Sequence, residues 1–337
     1  MVQRASRKKI IRVLLVVFAI IAAGGIGFFV GTKNIPQTAA SNTQSVREND
    51  VTYKFIHPLL AVERSNLETP SSGYSALQKS VQNYINSEKA TGQLLDASVY
   101  FTDYKQGGGS FALNENDPYA PASMLKVVIM IGYLKESDSD PSILSDMYVY
   151  NSSLADNLED IPFESTSTLI IGQSYSVNDL IHSMIINSDN GAMNVLLAHI
   201  DDSYLSQVYT ELGLSGPTGD GATYTISAKD YSLFFRILYN ATYLSKQSSE
   251  LALSLLSQAT FANGLVAGVP PGTVVAHKFG EHVNGDLDHV DSIELHDCGY
   301  IYASDAPYLL CVMTKSKTLD ESEKVISNIS KIIYNGR

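Results

Sequence analysis

Apolar and polar positions divide the chain into three stretches of different character. Residues 13–30 carry no charged side chain over 18 consecutive positions, and residues 32–73 are polar and mixed. The remainder alternates between helical and strand-like periods. These patterns predict an N-terminal part at 1–31, a spacer at 32–73 and a globular domain at 74–337.

The N-terminal apolar run has the length and the flank of a membrane anchor. It follows a basic segment that ends at Arg12, and it is longer than the core of a usual signal peptide. Positive charge before the run predicts a cytoplasmic N-terminus and an extracytoplasmic domain, in a single-pass protein of the cell membrane. A cleaved signal peptide that ends near residues 38–40 is the alternative.

Periods of 2 and of 3.6 residues place helices between strands in the globular domain. The predicted elements are a helix at 75–88, a hairpin of strands at 97–104 and 109–113, helices that begin at Ser123 and Ser176, a helix at 231–244, strands at 274–279, 295–302 and 308–314, and a helix at 322–334. Strands at both ends with helices between them predict an α+β fold. Its antiparallel sheet is built from both ends of the domain and flanked by helices, with an inserted all-helical lobe.

Composition argues against one class of partner and does not decide whether the two cysteines form a disulfide. The net charge is −12, and removal of the five basic residues among the first twelve takes it to −17, which argues against a nucleic-acid partner. Cys298 and Cys311 lie on neighbouring predicted strands, either as a disulfide or as two small buried side chains. The seven histidines show no metal-ligand spacing, so the sequence predicts neither a metal nor a cofactor.

The segment from Tyr119 to Lys126 is the first candidate for chemistry. Ser123 is predicted at a helix start, where free N–H groups favour developing negative charge. Lys126 shares its helix face, and an ammonium among apolar neighbours tends to lose its proton and act as a base. The S-x-x-K pattern alone is weak, because residues 6–9 repeat it in the basic tail.

Two further motifs follow in order. Ser188 and Asn190 form S-x-N in a polar turn between two predicted helices, and Lys278 and Gly280 form K-x-G at the end of a predicted strand. Each motif also has a second copy, at 176–178 and at 105–107. A helix start, an inter-helix loop and a sheet-edge strand can converge on one cleft, so the order and context of the motifs predict a site.

This set resembles the penicillin-recognising serine hydrolases, most closely the class A β-lactamases, with their S-x-x-K, S-D-N and K-T-G signatures. The resemblance covers residues 75–334. It implies that Ser123 forms an acyl-enzyme, Lys126 takes its proton, Ser188 protonates the leaving nitrogen and Lys278 attracts an anionic substrate. It further implies that Asn190, Gly280 and Glu281 bind the substrate. The backbone N–H groups of Ser123 and Glu281 would form the oxyanion hole.

Two departures from that family bear on turnover. Residues 212–249, where class A enzymes carry a water-activating glutamate, contain no Glu, and Asp220 there is read as a turn residue. Phe279 replaces a hydroxyl residue and cannot donate a hydrogen bond to a substrate. Acylation is therefore expected, and efficient β-lactam hydrolysis is in doubt. His277 and Glu281 flank Lys278 and are candidate residues at the rim of the site. For both of them a structural role is favoured over a role in the chemistry.

Three functional hypotheses follow. The first is a β-lactamase-like serine hydrolase that acts on a small-molecule β-lactam or a peptidoglycan stem peptide through a slowly released acyl-enzyme. The second is a peptidoglycan D,D-carboxypeptidase or transpeptidase, which needs no class A glutamate. The third is a non-catalytic cell-wall-binding module, which has no need of all four residues Ser123, Lys126, Ser188 and Lys278.

Overall fold

The computed structural model describes residues 46–48, 53–61, 72–105, 108–155, 167–218, 223–286 and 289–337. The predicted anchor and most of the predicted spacer lie outside these ranges, as do Gly107 and Asp220. None of the described helices combines the length and the apolar character needed to cross a bilayer.

The predicted strands at both ends of the domain and the helices between them are present, together with short strands that the sequence did not indicate. The strands are β1 Val46–Arg47, β2 Leu59–Ala61, β3 Leu94–Asp103, β4 Ser110–Leu113, β5 Met147–Val149, β6 Ser174–Ser176, β7 Val274–Asp286, β8 His289–Tyr302 and β9 Pro307–Ser316. The α-helices are α1 Ser75–Ala90, α2 Lys126–Ser137, α3 Ser152–Ala155, α4 Val177–Ile186, α5 Asn190–Leu197, α6 Asp202–Glu211, α7 Ala228–Tyr239, α8 Lys246–Leu256 and α9 Leu319–Gly336. Short 3-10 turns occupy Ser72–Tyr74, Ala122–Leu125, Pro141–Ser145 and Leu265–Gly268.

One antiparallel sheet joins the two ends of the domain. Its strand order is β4-β3-β9-β8-β7, so the N-terminal hairpin pairs with the three C-terminal strands. Helices α2 to α8 lie between β4 and β7 in the chain and form the inserted lobe. The predicted α+β plan is therefore confirmed, and β7 is an edge strand of the described sheet.

The sheet separates two hydrophobic clusters. One lies between the sheet and helices α1 and α9, where Val325, Ile326 and Ile329 of α9 are 0% exposed. Full burial of each such side chain contributes about 1.5–3 kcal/mol. The other cluster fills the helical lobe and reaches the opposite sheet face at Tyr300 and Met313. The second cluster thus joins the lobe to the sheet.

Side-chain caps begin the lobe helices where the sequence places them. The Ser176 hydroxyl accepts the backbone N–H of Asp179 at the start of α4, and Ser227 does the same for Asp230 at the start of α7. Helix α7 ends at Tyr239 rather than at residue 244, because Ala241 takes a left-handed conformation with φ 48°.

Residues 53–61, which the sequence analysis assigned to the spacer, pack on the domain. The N–H groups of Lys54, Phe55 and Ile56 donate to the Glu250 carboxylate at 2.8–3.1 Å. The His57 N–H donates to the carbonyl of Tyr239 at 2.8 Å. This segment therefore has fixed partners on the lobe.

Cys298 and Cys311 face each other across β8 and β9 and form a disulfide. Both side chains are fully buried. Of the two readings that the sequence left open, the structure has the cross-strand disulfide.

Candidate active site

Ser123 lies in the 3-10 turn Ala122–Leu125 that leads into α2. The preceding residue, Ala122, has φ 48°, a backbone conformation that a non-glycine residue rarely adopts. The Tyr231 hydroxyl of α7 donates to the carbonyl of Met124 at 2.9 Å, which ties the turn to the lobe. Such backbone conformations persist only where the surroundings hold them, and they occur preferentially at functional sites.

Strand β8 holds the chain just before this turn. A Glu294 carboxylate oxygen accepts the N–H of Ala120 at 2.9 Å, and His296 Nε2 lies 3.1 Å from the Ala120 carbonyl oxygen. His296 Nδ1 accepts the N–H of Thr314, so Nε2 carries the proton that the Ala120 carbonyl accepts. Two side chains of the sheet thus fix both backbone groups of Ala120, three residues before Ser123.

Lys126 Nζ is the centre of the polar contacts in the cleft. It lies 2.9 Å from Ser123 Oγ and 3.1 Å from Ser188 Oγ, and it donates to the Ser188 carbonyl at 2.5 Å and to Asn190 Oδ1 at 2.6 Å. Its side chain is 0% exposed. Burial lowers the pKa of Lys126 to about 7, although the negative charge of Asp189 acts in the opposite direction.

The turn between α4 and α5 presents Ser188 to both lysines. Ser188 has φ 56°, and the next residue, Asp189, caps α5 by accepting the N–H of Ala192 at 3.0 Å. The other Asp189 oxygen accepts from Ser183 and Thr168. Burial raises the pKa of Asp189, but these hydrogen bonds outweigh it and the pKa is lowered. A charged, fully bonded Asp189 therefore keeps this turn rigid.

Lys278 reaches the same turn from the edge strand β7. Its Nζ donates to Ser188 Oγ at 3.0 Å, so that one hydroxyl lies between two lysine amines. Burial, and then the positive charge of Lys126, lower the pKa of Lys278 well below its ordinary value. Gly280 allows the close approach, because a Cβ there would lie 2.5 Å from the Pro121 carbonyl oxygen and 2.8 Å from Met124 Cγ.

The structure places most of the predicted site residues together. Ser123, Lys126, Ser188, Asn190 and Lys278 form one connected set of contacts, while Gly280 packs on the turn that carries Ser123 and Glu281 follows it on β7. The catalytic and binding roles assigned to them stay predictions.

His277, the other residue beside Lys278, makes its contact elsewhere. Its Nδ1 lies 2.8 Å from a carboxylate oxygen of Asp297, and both side chains are buried. The second Asp297 oxygen accepts the N–H of Leu265. His277 is therefore part of a structural link between β7, β8 and the 3-10 turn Leu265–Gly268.

Sequence reasoning missed three residues that shape this site. Asp189 was recognised only as the middle of a motif, and Glu294 and His296 had no motif at all. The last two act on Ala120 from 174 and 176 positions further along the chain. A buried strand that carries both a carboxylate and an imidazole, Glu294-Leu-His296, was the one available signal.

Carboxylates near the expected position of the class A glutamate have other partners. Asp230 accepts from the Ser227 hydroxyl at the start of α7, and Glu250 binds the N–H groups of residues 54–56. In residues 212–218 and 223–249, the part of this segment that the structure describes, there is no glutamate. Nor does any group of three or more His, Cys, Asp or Glu side chains within the described ranges offer a site for a metal.

The chain belongs to the β-lactamase enzyme family, whose family model matches residues 76–336. The resemblance inferred from the motifs is thereby confirmed, and the fold is that of the β-lactamase-like serine hydrolases. No curated protein matches the chain.

Solved structures share this fold at low identity. A PBP-A variant, in acyl-enzyme complex with penicillin G, matches with a TM-score of 0.65 and 21% identity over 80% of this chain and 98% of its own. A β-lactamase from Chitinophaga pinensis matches with a TM-score of 0.65 and 19% identity over 76% and 98% of the two chains. A class A β-lactamase from Mycobacterium abscessus matches with a TM-score of 0.63 and 20% identity over 76% and 98%.

Proposed function

We propose that this protein is a serine hydrolase that forms an acyl-enzyme at Ser123 with β-lactams or acyl-D-alanyl peptides and releases it slowly. The observation that supports this most directly is the 2.9 Å distance between Lys126 Nζ and Ser123 Oγ. A buried amine with a pKa of about 7 is neutral in a large fraction of molecules near neutral pH. Such an amine can accept the serine proton.

In the proposed reaction, the neutral Lys126 amine takes the proton of Ser123 as Oγ bonds to the substrate carbonyl carbon. The resulting ammonium is stabilised by the Ser188 carbonyl and by Asn190 Oδ1. The backbone N–H groups of Ser123 and Glu281 are the proposed donors to the oxyanion.

Collapse of the tetrahedral intermediate needs a proton for the leaving nitrogen. The Ser188 hydroxyl donates it as the carbon–nitrogen bond breaks. Because Ser188 Oγ lies 3.1 Å from Lys126 Nζ, the ammonium formed there in the first step can return a proton to it, while Lys278 Nζ donates to the same oxygen at 3.0 Å. The acyl group then remains as an ester on Ser123.

Slow release of that ester follows from the carboxylates around the cleft. Hydrolysis of the acyl-enzyme needs a base that activates water. The described part of residues 212–249 holds no glutamate, and Asp230 there is engaged by Ser227. The same observation favours the second candidate function, a peptidoglycan D,D-carboxypeptidase or transpeptidase. The third hypothesis, a non-catalytic cell-wall-binding module, leaves the Ser123–Lys126 contact without a purpose.

One experiment separates these functions. The purified full-length chain is incubated with a labelled penicillin, and the mass of the peptide that contains Ser123 is followed over time. We expect an adduct that persists, with a Ser123→Ala variant unlabelled. Rapid turnover would contradict slow release, and equal behaviour of wild type and Ser123→Ala would support the binding module. Hydrolysis of an acyl-D-alanyl-D-alanine peptide identifies the peptidase.

We also propose that residues 13–30 anchor the chain in the cell membrane with the enzymatic domain outside. The basic segment before an uncharged run of 18 residues supports this orientation. The Cys298–Cys311 disulfide supports it independently, since disulfides persist mainly in oxidising compartments. Protease treatment of intact cells tests it, because an external domain is digested while a cytoplasmic one is protected.

A further inference from the structure

An aromatic ring lies beside Lys278 on strand β7, and a second ring stacks on it. The Phe279 ring centroid is 4.1 Å from Lys278 Nζ, within the range of a cation–π contact. The same ring stacks on Phe261, with centroids 4.2 Å apart and planes at 22°. Both rings are half-buried, so each keeps a solvent-accessible portion. We call Phe261, Phe279 and the neighbouring Glu281 the aromatic flank.

The Lys278 amine has no free donor for an incoming anion. An ammonium carries three N–H groups, and a neutral amine carries two. One donates to Ser188 Oγ at 3.0 Å and a second donates to the Phe279 carbonyl at 2.9 Å, which together use both N–H groups of the neutral amine, and the Phe279 ring centroid lies 4.1 Å from the nitrogen. An anionic group at the aromatic flank would have to displace one of these contacts before it could bind Lys278.

The remaining charges at the flank are negative. Burial raises the pKa of Glu281 to about 7, and the charge of Glu323 acts in the same direction against that of Lys278. Asn263 donates to Glu323 at 2.9 Å, which holds the second carboxylate in place. Neither carboxylate can donate to an anion in its charged form.

Arginine does not supply the missing positive charge in the part of the chain that the structure describes. Arg47 lies over the rings of Tyr104 and Tyr239, and Arg337 bonds to Asp103. Burial raises the pKa of the Tyr104 hydroxyl, and the third arginine, Arg236, lies close enough for its positive charge to act in the opposite direction. All three therefore lie with Tyr104 or Asp103 at the end of β3, and not with Lys278.

From these contacts we infer that the aromatic flank receives an uncharged apolar or aromatic group on the leaving side of the acyl donor, and that a free carboxylate is disfavoured there. The leaving side is assigned because Ser188, the proposed proton donor to the leaving group, bonds to Lys278, whose other contacts are with Phe279. The inference rests on the proposed function and ranks its substrates: acyl donors whose leaving side is amidated or esterified are expected to react faster than those that end in a free carboxylate, as penicillins and acyl-D-alanyl-D-alanine do.

The test compares two acyl donors that differ only at this point. Two N-benzoyl-D-alanyl thioesters are used, one whose leaving thiol ends in a carboxylate and one whose leaving thiol ends in the methyl amide. The second-order rate constant for acylation of Ser123 is measured by thiol release and by intact-protein mass. We expect the amide to react at least about tenfold faster, as is typical when a charge lacks a partner.

The outcomes separate the inference from the proposed function. Equal rates, or a faster reaction of the carboxylate donor, overturn the inference while acylation of Ser123 still stands. If neither donor acylates Ser123, both the proposed function and the inference fail. This comparison needs no variant, so it does not depend on the folding of a mutant.

Variants assign the preference to the ring. We expect Phe279→Thr, which removes the ring beside Lys278 and adds a hydroxyl, to shift the ratio of the two rates about tenfold toward the carboxylate. Phe279→Val has the shape of threonine without its hydroxyl, so it is the matched control that isolates loss of the ring, and we expect a smaller shift in the same direction. Phe261→Leu removes only the stacking partner and is expected to shift the ratio less. An unchanged ratio in correctly folded Phe279→Thr would remove Phe279 from the explanation.

Discussion

Lys126 Nζ lies 2.9 Å from Ser123 Oγ in a position from which solvent is excluded. The four oxygens around this nitrogen can accommodate a neutral amine, which has two N–H groups and one lone pair. Its two N–H groups serve the Ser188 carbonyl and Asn190 Oδ1, which are the two shortest contacts, and its lone pair remains for the Ser123 proton. Burial lowers the pKa of Lys126 to about 7, so this neutral form is populated near neutral pH and can accept the Ser123 proton as the proposed mechanism requires.

The rate of Ser123 acylation should depend on the Lys126 proton. Below a pH of about 7 the amine is protonated and cannot accept, so we expect the rate with an uncharged donor to rise with pH and level off above about 7. Stopped-flow measurement with the methyl amide thioester checks this, because that donor has no titrating group. A rate that is flat between about pH 5 and about pH 9 would contradict a general-base role.

Ser188 should matter for chemistry in a way that its sequence copy does not. Ser188→Ala removes the hydroxyl between the two lysine amines, and we expect acylation to fall by about 10²- to 10⁴-fold. Ser176→Ala, in the second S-x-N copy, is the matched control. It should cost about 1 kcal/mol of unfolding free energy through loss of the α4 cap but leave the acylation rate unchanged. Equal effects on acylation would remove Ser188 from the mechanism.

Glu294 should affect both the stability of the protein in acid and the position of Ser123. Burial alone would raise its pKa, but the neighbouring His296 and the hydrogen bond from the Ala120 N–H, among other contacts, lower it to about 2 from the unfolded value of 4.5. Because the folded-state pKa is the lower one, the stabilisation is fully present above 4.5 and is lost as the pH falls toward about 2.

Glu294→Gln tests this linkage. The variant lacks the titrating group, so the difference in unfolding free energy between wild type and variant should be largest near neutral pH and shrink in acid. Urea unfolding at several pH values measures it. We also expect a lower acylation rate without weaker donor binding, because Glu294 holds Ala120 and does not touch the substrate. An unchanged difference across the pH range would contradict the assignment.

The motifs that begin helices could be predicted because their signals are local. Ser176, Asp179, Ser227 and Asp230 lie within three residues of the groups that they cap, and the spacing of S-x-x-K sets one helix face. The end of α7 escaped prediction because Ala241 fills a left-handed position where glycine is the usual signal. The outer part of the β7–β8 hairpin escaped prediction because its described residues, such as Gly285, His289 and Val290, are exposed and show no apolar alternation.

The convergence of the site could be anticipated only through the order of its motifs. Lys278 and Ser188 are 90 positions apart, and no local pattern sets their 3.0 Å contact. The contacts of Glu294 and His296 with Ala120 depend on how β8 is positioned against the turn that carries Ser123. The contact of Phe279 with Lys278 depends equally on the position of Phe261, which belongs to a loop with no periodic signal.

Glu250 should hold residues 53–61 against the helical lobe. Its two oxygens accept three backbone N–H groups, from Lys54, Phe55 and Ile56. In Glu250→Gln the amide NH₂ group cannot accept, so we expect the local opening free energy of residues 53–61 to fall by about 1.5–3 kcal/mol. Trypsin should then cleave after Lys54 more rapidly, because proteolysis follows the population of the open segment. Glu211→Gln, at the exposed end of α6, is the control and should leave cleavage unchanged. Acylation of Ser123 should be the same in all three proteins, since the described backbone hydrogen bonds of residues 54–57 lead to Glu250 and Tyr239. Equal cleavage of wild type and Glu250→Gln would mean that other contacts, such as that of His57 with Tyr239, hold the segment in place.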